Sequence, residues 1–174
     1  THKPNGISIS KREIPSPGIL SYKTSDLLEI EDKERKKFNA GDEISVFILF
    51  TDGKSEGQEK LKLLLGTAYR NTSMIVYEEV IRNFAVKEQI SVSEIESTAL
   101  KHEFGHLFGL VGNGSPVQSL HEDSKNKSHC NVSSCLMAAS VQFSSTQSMA
   151  AVAAEENFSF DENCLADLRA NGGK

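Results

Sequence analysis

The sequence lacks the long apolar run that a membrane-spanning helix needs. Such a helix takes about 20 consecutive, mostly apolar residues, and none of the apolar runs in these 174 residues approaches that length. A basic stripe is also absent, and the formal net charge is −5 with a pI near 5.6. The sequence therefore predicts no transmembrane segment and makes nucleic acid an unfavourable partner.

Tryptophan is absent as well, but nine phenylalanines and a 38% share of hydrophobic residues suffice for one sizeable core. At this length the chain is most simply one domain, 1–174, and we expect a monomer. It begins at Thr1 without an initiator methionine. This start suggests that upstream residues, with any export signal or lipid anchor, have been removed.

Apolar patterning predicts a mixed α/β domain in which a twisted mixed sheet packs on helices. The predicted strands are 7–14, 44–50, 63–69 and 74–81, of which the last two, on either side of 70–72, form a hairpin or are near-neighbours. The predicted helices are 25–38, 93–108 and 160–170, the last of them capped by Ser159. The charge run 29–37 is interpreted as a solvated helix face. Residues 111–157 are rich in Ser, Asn and Gly and too long for a simple connector, so we expect a functional loop region there.

The candidate metal-binding and catalytic residues lie in the sequence His102-Glu-Phe-Gly-His106-Leu-Phe-Gly109. Residues four apart share a helix face, so His102 and His106 can direct ring nitrogens at one ion, and zinc is the metal that this pattern favours. Glu103 lies beside them without being a ligand. It can act as general base on a water that the ion activates.

A hydrolytic zinc takes three protein ligands, so a third must come from elsewhere. The downstream histidines are His121 and His129, and Glu122 and Asp123 are the carboxylate candidates. Gly109 is placed to end the helix and turn the chain back towards the ion.

The motif, followed by His129-Cys130-Asn-Val-Ser-Ser-Cys135-Leu-Met137, resembles the metzincin clan of zinc metallopeptidases and, within it, the archaemetzincin family. That family's pattern runs H-E-x-x-H-x-x-G-x-x-H-C-x-x-x-x-C-x-M. The resemblance covers about residues 98 to 137. It implies a metzincin-like fold, with an N-terminal part to about 109 and a C-terminal part beyond it, and His129 as third ligand and Met137 in the Met-turn beneath the metal.

The chain departs from this pattern between the glycine and the third histidine. Nineteen residues, 110–128, stand where the family has two, and they include His121-Glu122-Asp123. We favour His129 as third ligand because its spacing of eight positions to Met137 is retained. His121 is the alternative. The two carboxylates could bind a second cation or orient a histidine, although a solvated acidic loop is the simpler interpretation.

A second departure concerns the cysteines. The family completes a four-cysteine zinc site downstream, whereas this chain has only Cys130, Cys135 and Cys164. A four-thiolate site is therefore impossible, and either a second, structural ion helped by Asp161 or a disulfide remains open. The insertion, the missing cysteine and the Ser/Asn-rich surface favour an exported enzyme.

The expected function is hydrolysis of peptide bonds in a peptide or protein substrate. The segment 65–69 resembles the edge strand that clan members use to bind substrate, and Gly66, Thr67 and Ala68 would pair with an extended peptide. A non-catalytic metal-binding surface module on the same scaffold is the alternative. Retention of Glu103 argues against that alternative, because a structural site has no use for an unligated base.

Overall fold

The computed structural model describes residues 5–56, 63–140 and 158–173, and within them the chain is a mixed α/β protein. The strands are β1 (Ser21–Tyr22), β2 (Phe47–Thr51), β3 (Lys54–Ser55), β4 (Gly66–Arg70) and β5 (Ser73–Tyr77). The helices are α1 (Thr24–Glu34), α2 (Glu78–Glu88), α3 (Val92–Leu107) and α4 (Glu162–Ala170). The α/β composition and the hairpin of β4 and β5 confirm the prediction at this level.

The main sheet has the order β2-β5-β4. Its central strand β5 runs parallel to β2 and antiparallel to β4, and all five of its residues are buried. Burial of the whole strand explains its continuous apolar sequence, which is typical of a strand covered on both faces. Strand β4 is left at an edge of this sheet. A separate two-stranded parallel sheet joins β1 and β3.

One predicted strand is too long and another does not form. The strand predicted over 74–81 ends at Tyr77, where α2 begins with two acidic residues in its first turn and buries Val80, Ile81 and Ala85 on one face. Acids are favourable at a helix N-terminus, and they mark the change from strand to helix. The strand predicted over 7–14 is not formed, and Ile7 and Ile9 are 80% and 77% exposed.

Helix α3 forms within one residue of its predicted bounds at either end. It buries Ile95 and Ala99 against Ile81 and Ala85 of α2, and its C-terminal half packs beside β4. This packing fixes the axis of α3 relative to the edge of the main sheet. None of the helices in the described part of the chain combines the length and apolar character needed to cross a bilayer.

The charge run 29–37 is only partly a solvated face, which corrects the prediction. Glu31 is 1% exposed, and its Oε1 accepts hydrogen bonds from Arg35 Nη1 at 2.7 Å and Ser73 Oγ at 2.6 Å. Arg35 also donates to the Ser45 carbonyl at 2.7 Å and to Thr72 Oγ1 at 3.0 Å. Burial opposes ionisation of Glu31, but the bonds from Ser73 and Arg35 outweigh it and lower its pKa. The hydrogen bonds of Glu31 and Arg35 with Ser73 therefore tie α1 to the start of β5.

Substituting Glu31→Gln should lower the free energy of unfolding by about 3 kcal/mol, because it leaves the Arg35 charge buried without its counter-ion. The loss should be full at neutral pH and shrink as the pH falls below 4.5, the ordinary pKa of the carboxyl, because the unfolded wild-type chain then binds a proton that the folded protein takes up only at its lower pKa. Denaturant unfolding across pH measures both effects.

The matched control is Asp32→Asn, since Asp32 is the next residue of α1 and its side chain is 66% exposed. Its ion pair with Arg70 lies in solvent, so little change is expected. Equal losses in the two variants would contradict the role assigned to Glu31.

Candidate metal centres

Helix α3 directs two imidazole nitrogens at the same point. The Nδ1–H of His102 donates to the Leu136 carbonyl at 2.7 Å, which leaves the lone pair of its Nε2 free. That Nε2 lies 3.1 Å from Nε2 of His106. Two nitrogens bound to one tetrahedral zinc lie about 3.4 Å apart, given bonds of about 2.1 Å. The spacing of the two side chains therefore fits a shared ion.

His129 completes a cluster of three imidazoles. Its ring centroid lies 5.4 Å from that of His102 and 5.0 Å from that of His106, and one nitrogen of each ring lies within 4.8 Å of the others. Its Nδ1 lies 2.9 Å from the Lys127 carbonyl, so its Nε2 is available. The structure thus brings together the favoured trio, and it places His121 elsewhere. Ligation by these three residues stays a prediction.

The electrostatics of the cluster favour neutral imidazoles, the form that binds metals. Burial lowers the pKa of His102 to about 4, and the neighbouring His129 contributes. Burial together with the charges of His102 and His129 lowers the pKa of His106 to about 3.

Glu103 faces the edge strand β4. It is 6% exposed, and its Oε2 accepts a hydrogen bond from the backbone N–H of Ala68 at 2.6 Å. Burial raises its pKa to about 7, against the effect of that bond. A Cβ at Gly66 would lie 3.0 Å from Glu103 Cγ and from the Ile75 carbonyl oxygen, so glycine lets the carboxylate approach the strand.

An open groove of about 440 Å³ runs between β4 and the loop that follows α3. Its walls include Ala68 and Arg70 on one side and Asn113 and Ser115 on the other, and His106 borders it. The groove therefore gives solvent and ligands access to the histidine cluster from the open side of β4.

A tight turn presents His129. Oε1 of Glu122 accepts from the backbone N–H of Ser128 at 2.8 Å, and Oδ1 of Asp123 accepts from that of Lys125 at 2.8 Å. The N–H of Asp123 donates to the His129 carbonyl at 2.7 Å. The two carboxylates thus hold the backbone of their own exposed loop, in agreement with the acidic-loop interpretation rather than a cation site.

The second cluster lies beside the first and gathers the cysteines. His121, Cys130, Cys164 and Asp161 have ligand atoms within 4.8 Å of one another. Cys135 adjoins them, with its Sγ 3.6 Å from Sγ of Cys164 and 3.4 Å from Oδ1 of Asp161. All three cysteines are free and buried, so the disulfide considered above is not formed. Residues that could bind a metal ion are therefore grouped here too.

The sequence analysis missed the partner of His121. Its Nε2 lies 2.8 Å from Oδ2 of Asp167 on α4, and both side chains are almost fully buried. Asp161 is the N-cap of α4, where its side chain accepts from the N–H of Cys164, so the predicted cap at Ser159 is wrong. The three cysteines, Asp161 and a surplus histidine were the sequence signals for this cluster, and none of them indicated Asp167.

Met137 packs directly against α3. It is fully buried, and a Cβ at Gly105 would overlap its sulfur, so only glycine leaves room for it between His102 and His106. This position is compatible with the methionine turn implied by the resemblance, and the role itself stays a prediction.

Comparisons of the chain with protein-family models, with curated proteins and with solved structures found no match. The metzincin resemblance accordingly stays a prediction that rests on the motif residues and on the geometry around them.

The glycine that ends α3 is required by its backbone and by its surroundings. Gly109 has a φ of +77°, and a Cβ there would lie 2.6 Å from Oγ and 2.7 Å from N of Ser115. Its carbonyl accepts from the N–H of Ser115 at 3.0 Å, which folds the following loop back over the helix end.

Substituting Gly109→Ala should therefore destabilise the protein more than Gly112→Ala. Gly112 has a similar φ of +74°, but a Cβ there would have no neighbour within 4 Å, so its variant should lose only the left-handed backbone preference, about 1 to 2 kcal/mol. Gly109→Ala must in addition displace backbone. Denaturant unfolding measures both, and similar losses would show that the crowding at Ser115 is unimportant.

Proposed function

We propose that this chain is a zinc-dependent endopeptidase. The observation that carries the proposal is the convergence of three imidazoles from two distant segments of the chain. The buried carboxylate of Glu103 lies on the same helix outside this group of three, and it faces the edge strand β4. Three neutral nitrogens suit zinc, and three protein ligands leave a coordination position for chemistry.

His102, His106 and His129 would hold the catalytic ion, and the cysteine cluster would hold a second, structural ion. When bound at the histidines, zinc supplies a Lewis acid that polarises a carbonyl and lowers the pKa of water towards about 7.

Glu103 would move the proton. Its carboxylate follows His102 directly on α3, and the Ala68 N–H fixes Oε2, so one carboxylate oxygen is held while the group remains close to the cluster. In the proposed reaction it takes a proton from the attacking water and passes one to the leaving amine.

A peptide would lie extended in the groove and pair with β4. An edge strand with unpaired backbone groups can accept another strand, which satisfies the peptide's own backbone while its side chains meet the groove walls. Gly66, Thr67 and Ala68 would provide this pairing, for which the Ala68 N–H would have to exchange Glu103 Oε2 for the peptide. The groove of about 440 Å³ beside His106 has room for the chain to pass.

Substituting Glu103→Gln should leave bound zinc unchanged and reduce peptide hydrolysis by about 10² to 10⁴-fold, the usual contribution of a general base. Casein or a peptide library is the substrate, and metal content is measured on the same sample. Glu96→Gln is the matched control, because Glu96 lies on the same helix and outside the cluster. Hydrolysis at the wild-type rate in Glu103→Gln, or no hydrolysis by the wild-type protein with zinc bound, would contradict the peptidase assignment. Either result would favour the non-catalytic metal-binding module.

Substituting His129→Ala should remove the histidine-bound ion and leave the cysteine-bound one. With Co²⁺ in place of zinc, the thiolate-to-metal charge-transfer absorption should therefore persist while total bound cobalt falls. Unchanged cobalt in His129→Ala would show that His129 is not the third ligand.

A further inference from the structure

We propose that His121 is the fourth ligand of a structural zinc ion bound by Cys130, Cys135 and Cys164. The segment 110–128 thus supplies one ligand of this site, and the following loop and α4 supply the others. This site does not depend on the proposed peptidase activity, since its ligands are separate from the three histidines on which that activity rests.

The distances between three pairs of these ligand atoms fit such a site, whereas the group whose ligand atoms all lie within 4.8 Å of one another has Asp161 in place of Cys135. Around a tetrahedral zinc, sulfur atoms lie about 3.8 Å apart and a nitrogen lies about 3.6 Å from a sulfur, given bonds of about 2.3 Å and 2.0 to 2.1 Å. Sγ of Cys135 is 3.6 Å from Sγ of Cys164, and Nδ1 of His121 is 3.5 Å and 3.9 Å from the sulfurs of Cys130 and Cys164. The four side chains come from three segments of the chain, with His121 and Cys164 43 residues apart.

The orientation of His121 is that of a metal ligand. Asp167 accepts from its Nε2–H at 2.8 Å, so its Nδ1 carries the lone pair and faces the sulfurs. A carboxylate bonded to the outer nitrogen is the usual support of a zinc-bound histidine. Asp167 is itself fixed, because its Oδ1 accepts from the N–H of Gln118 at 2.6 Å.

Asp161 is the competing fourth donor, and its other contacts argue against it. Its Oδ1 caps α4 by accepting from the N–H of Cys164 at 3.0 Å, and its Oδ2 accepts from Asn163 at 3.1 Å. In addition, the backbone N–H groups of Met137 and Asp161 donate to Sγ of Cys135 at 3.3 Å and 3.4 Å. Donors aimed at that sulfur stabilise a thiolate there, so Cys135 is the better ligand.

Each cysteine ligand in the loop adjoins a part of the histidine cluster. Cys130 follows His129 directly, and Cys135 precedes Leu136, whose carbonyl orients His102. Met137 follows in the same turn and packs beneath α3. An ion at the cysteines would therefore fix the positions of His129 and of the Leu136 carbonyl, which orients His102.

The first test isolates the second ion. In the full-length double variant His102→Ala/His106→Ala, one zinc should remain, and X-ray absorption at the zinc edge should report three sulfur ligands and one nitrogen from an imidazole. Three sulfurs with a carboxylate oxygen would overturn the assignment of His121 in favour of Asp161. Fewer sulfurs, no bound zinc, or a disulfide detected by thiol counting would overturn the site as a whole.

The second test changes the fourth ligand. His121→Cys should keep the ion with four sulfurs, whereas His121→Ala should lose it, or bind it far more weakly. Asp167→Asn should weaken zinc binding by about 10 to 100-fold, because the amide N–H then faces the His121 N–H. Glu162→Gln, on the same helix and 89% exposed, is the control and should bind zinc normally.

The coupling between the clusters has its own readout. A chelator should remove the histidine-bound ion more readily from His121→Ala than from the wild-type protein, and His121→Cys should restore wild-type retention. If His121→Ala does not fold, the comparison of His121→Cys with the double variant still decides, since a His121→Cys protein with only three sulfur ligands contradicts the proposal. Loss of peptidase activity in Glu103→Gln alone bears on the proposed function and not on this site.

Discussion

The C-terminal part of the protein depends on side-chain contacts among histidine, cysteine and aspartate, because backbone ladders are scarce there. Between the end of α3 and residue 140 the described chain forms no helix or strand, only isolated bridges such as that of Cys130 with Ala138. Its core consists of Leu110, Val111, Met137 and the cysteines. Such a segment keeps one conformation only while its few polar contacts are satisfied. In a helix or sheet many backbone hydrogen bonds hold the chain together, whereas here the loss of one side-chain contact removes a large part of what holds it.

How much the sequence predicts depends on whether the signal is local. The motif on α3 and the hairpin of β4 and β5 are both predictable, because helical spacing and alternation act within a few residues. Helix α2 is missed because Val80 and Ile81 continue the apolar run of β5, and only the acids before them mark the change. Burial of Glu31 is invisible in a run of charges, because its partner Ser73 is 42 residues away.

The two candidate third ligands illustrate the same limit within the site. Sequence analysis treats His121 and His129 as rivals for one position, whereas the structure places them on either side of a turn, facing different clusters. What separates them is the bond from His121 to Asp167, which spans 46 positions of the chain. No spacing within the insertion contains that information. Likewise, counting cysteines excludes a four-thiolate site but cannot reveal that His121 lies beside the sulfurs of Cys130 and Cys164.

The hydrogen bond between Glu103 and Ala68 has a mechanical consequence. The amide that holds the carboxylate points away from β5, at the side of β4 where an incoming strand would have to bind. Any chain that extends the sheet past Ala68 must compete with Glu103 for that N–H. Pairing of such a strand with β4 would therefore break the hydrogen bond between Ala68 and Glu103. The carboxylate would be free of this bond only while a further strand is paired with β4.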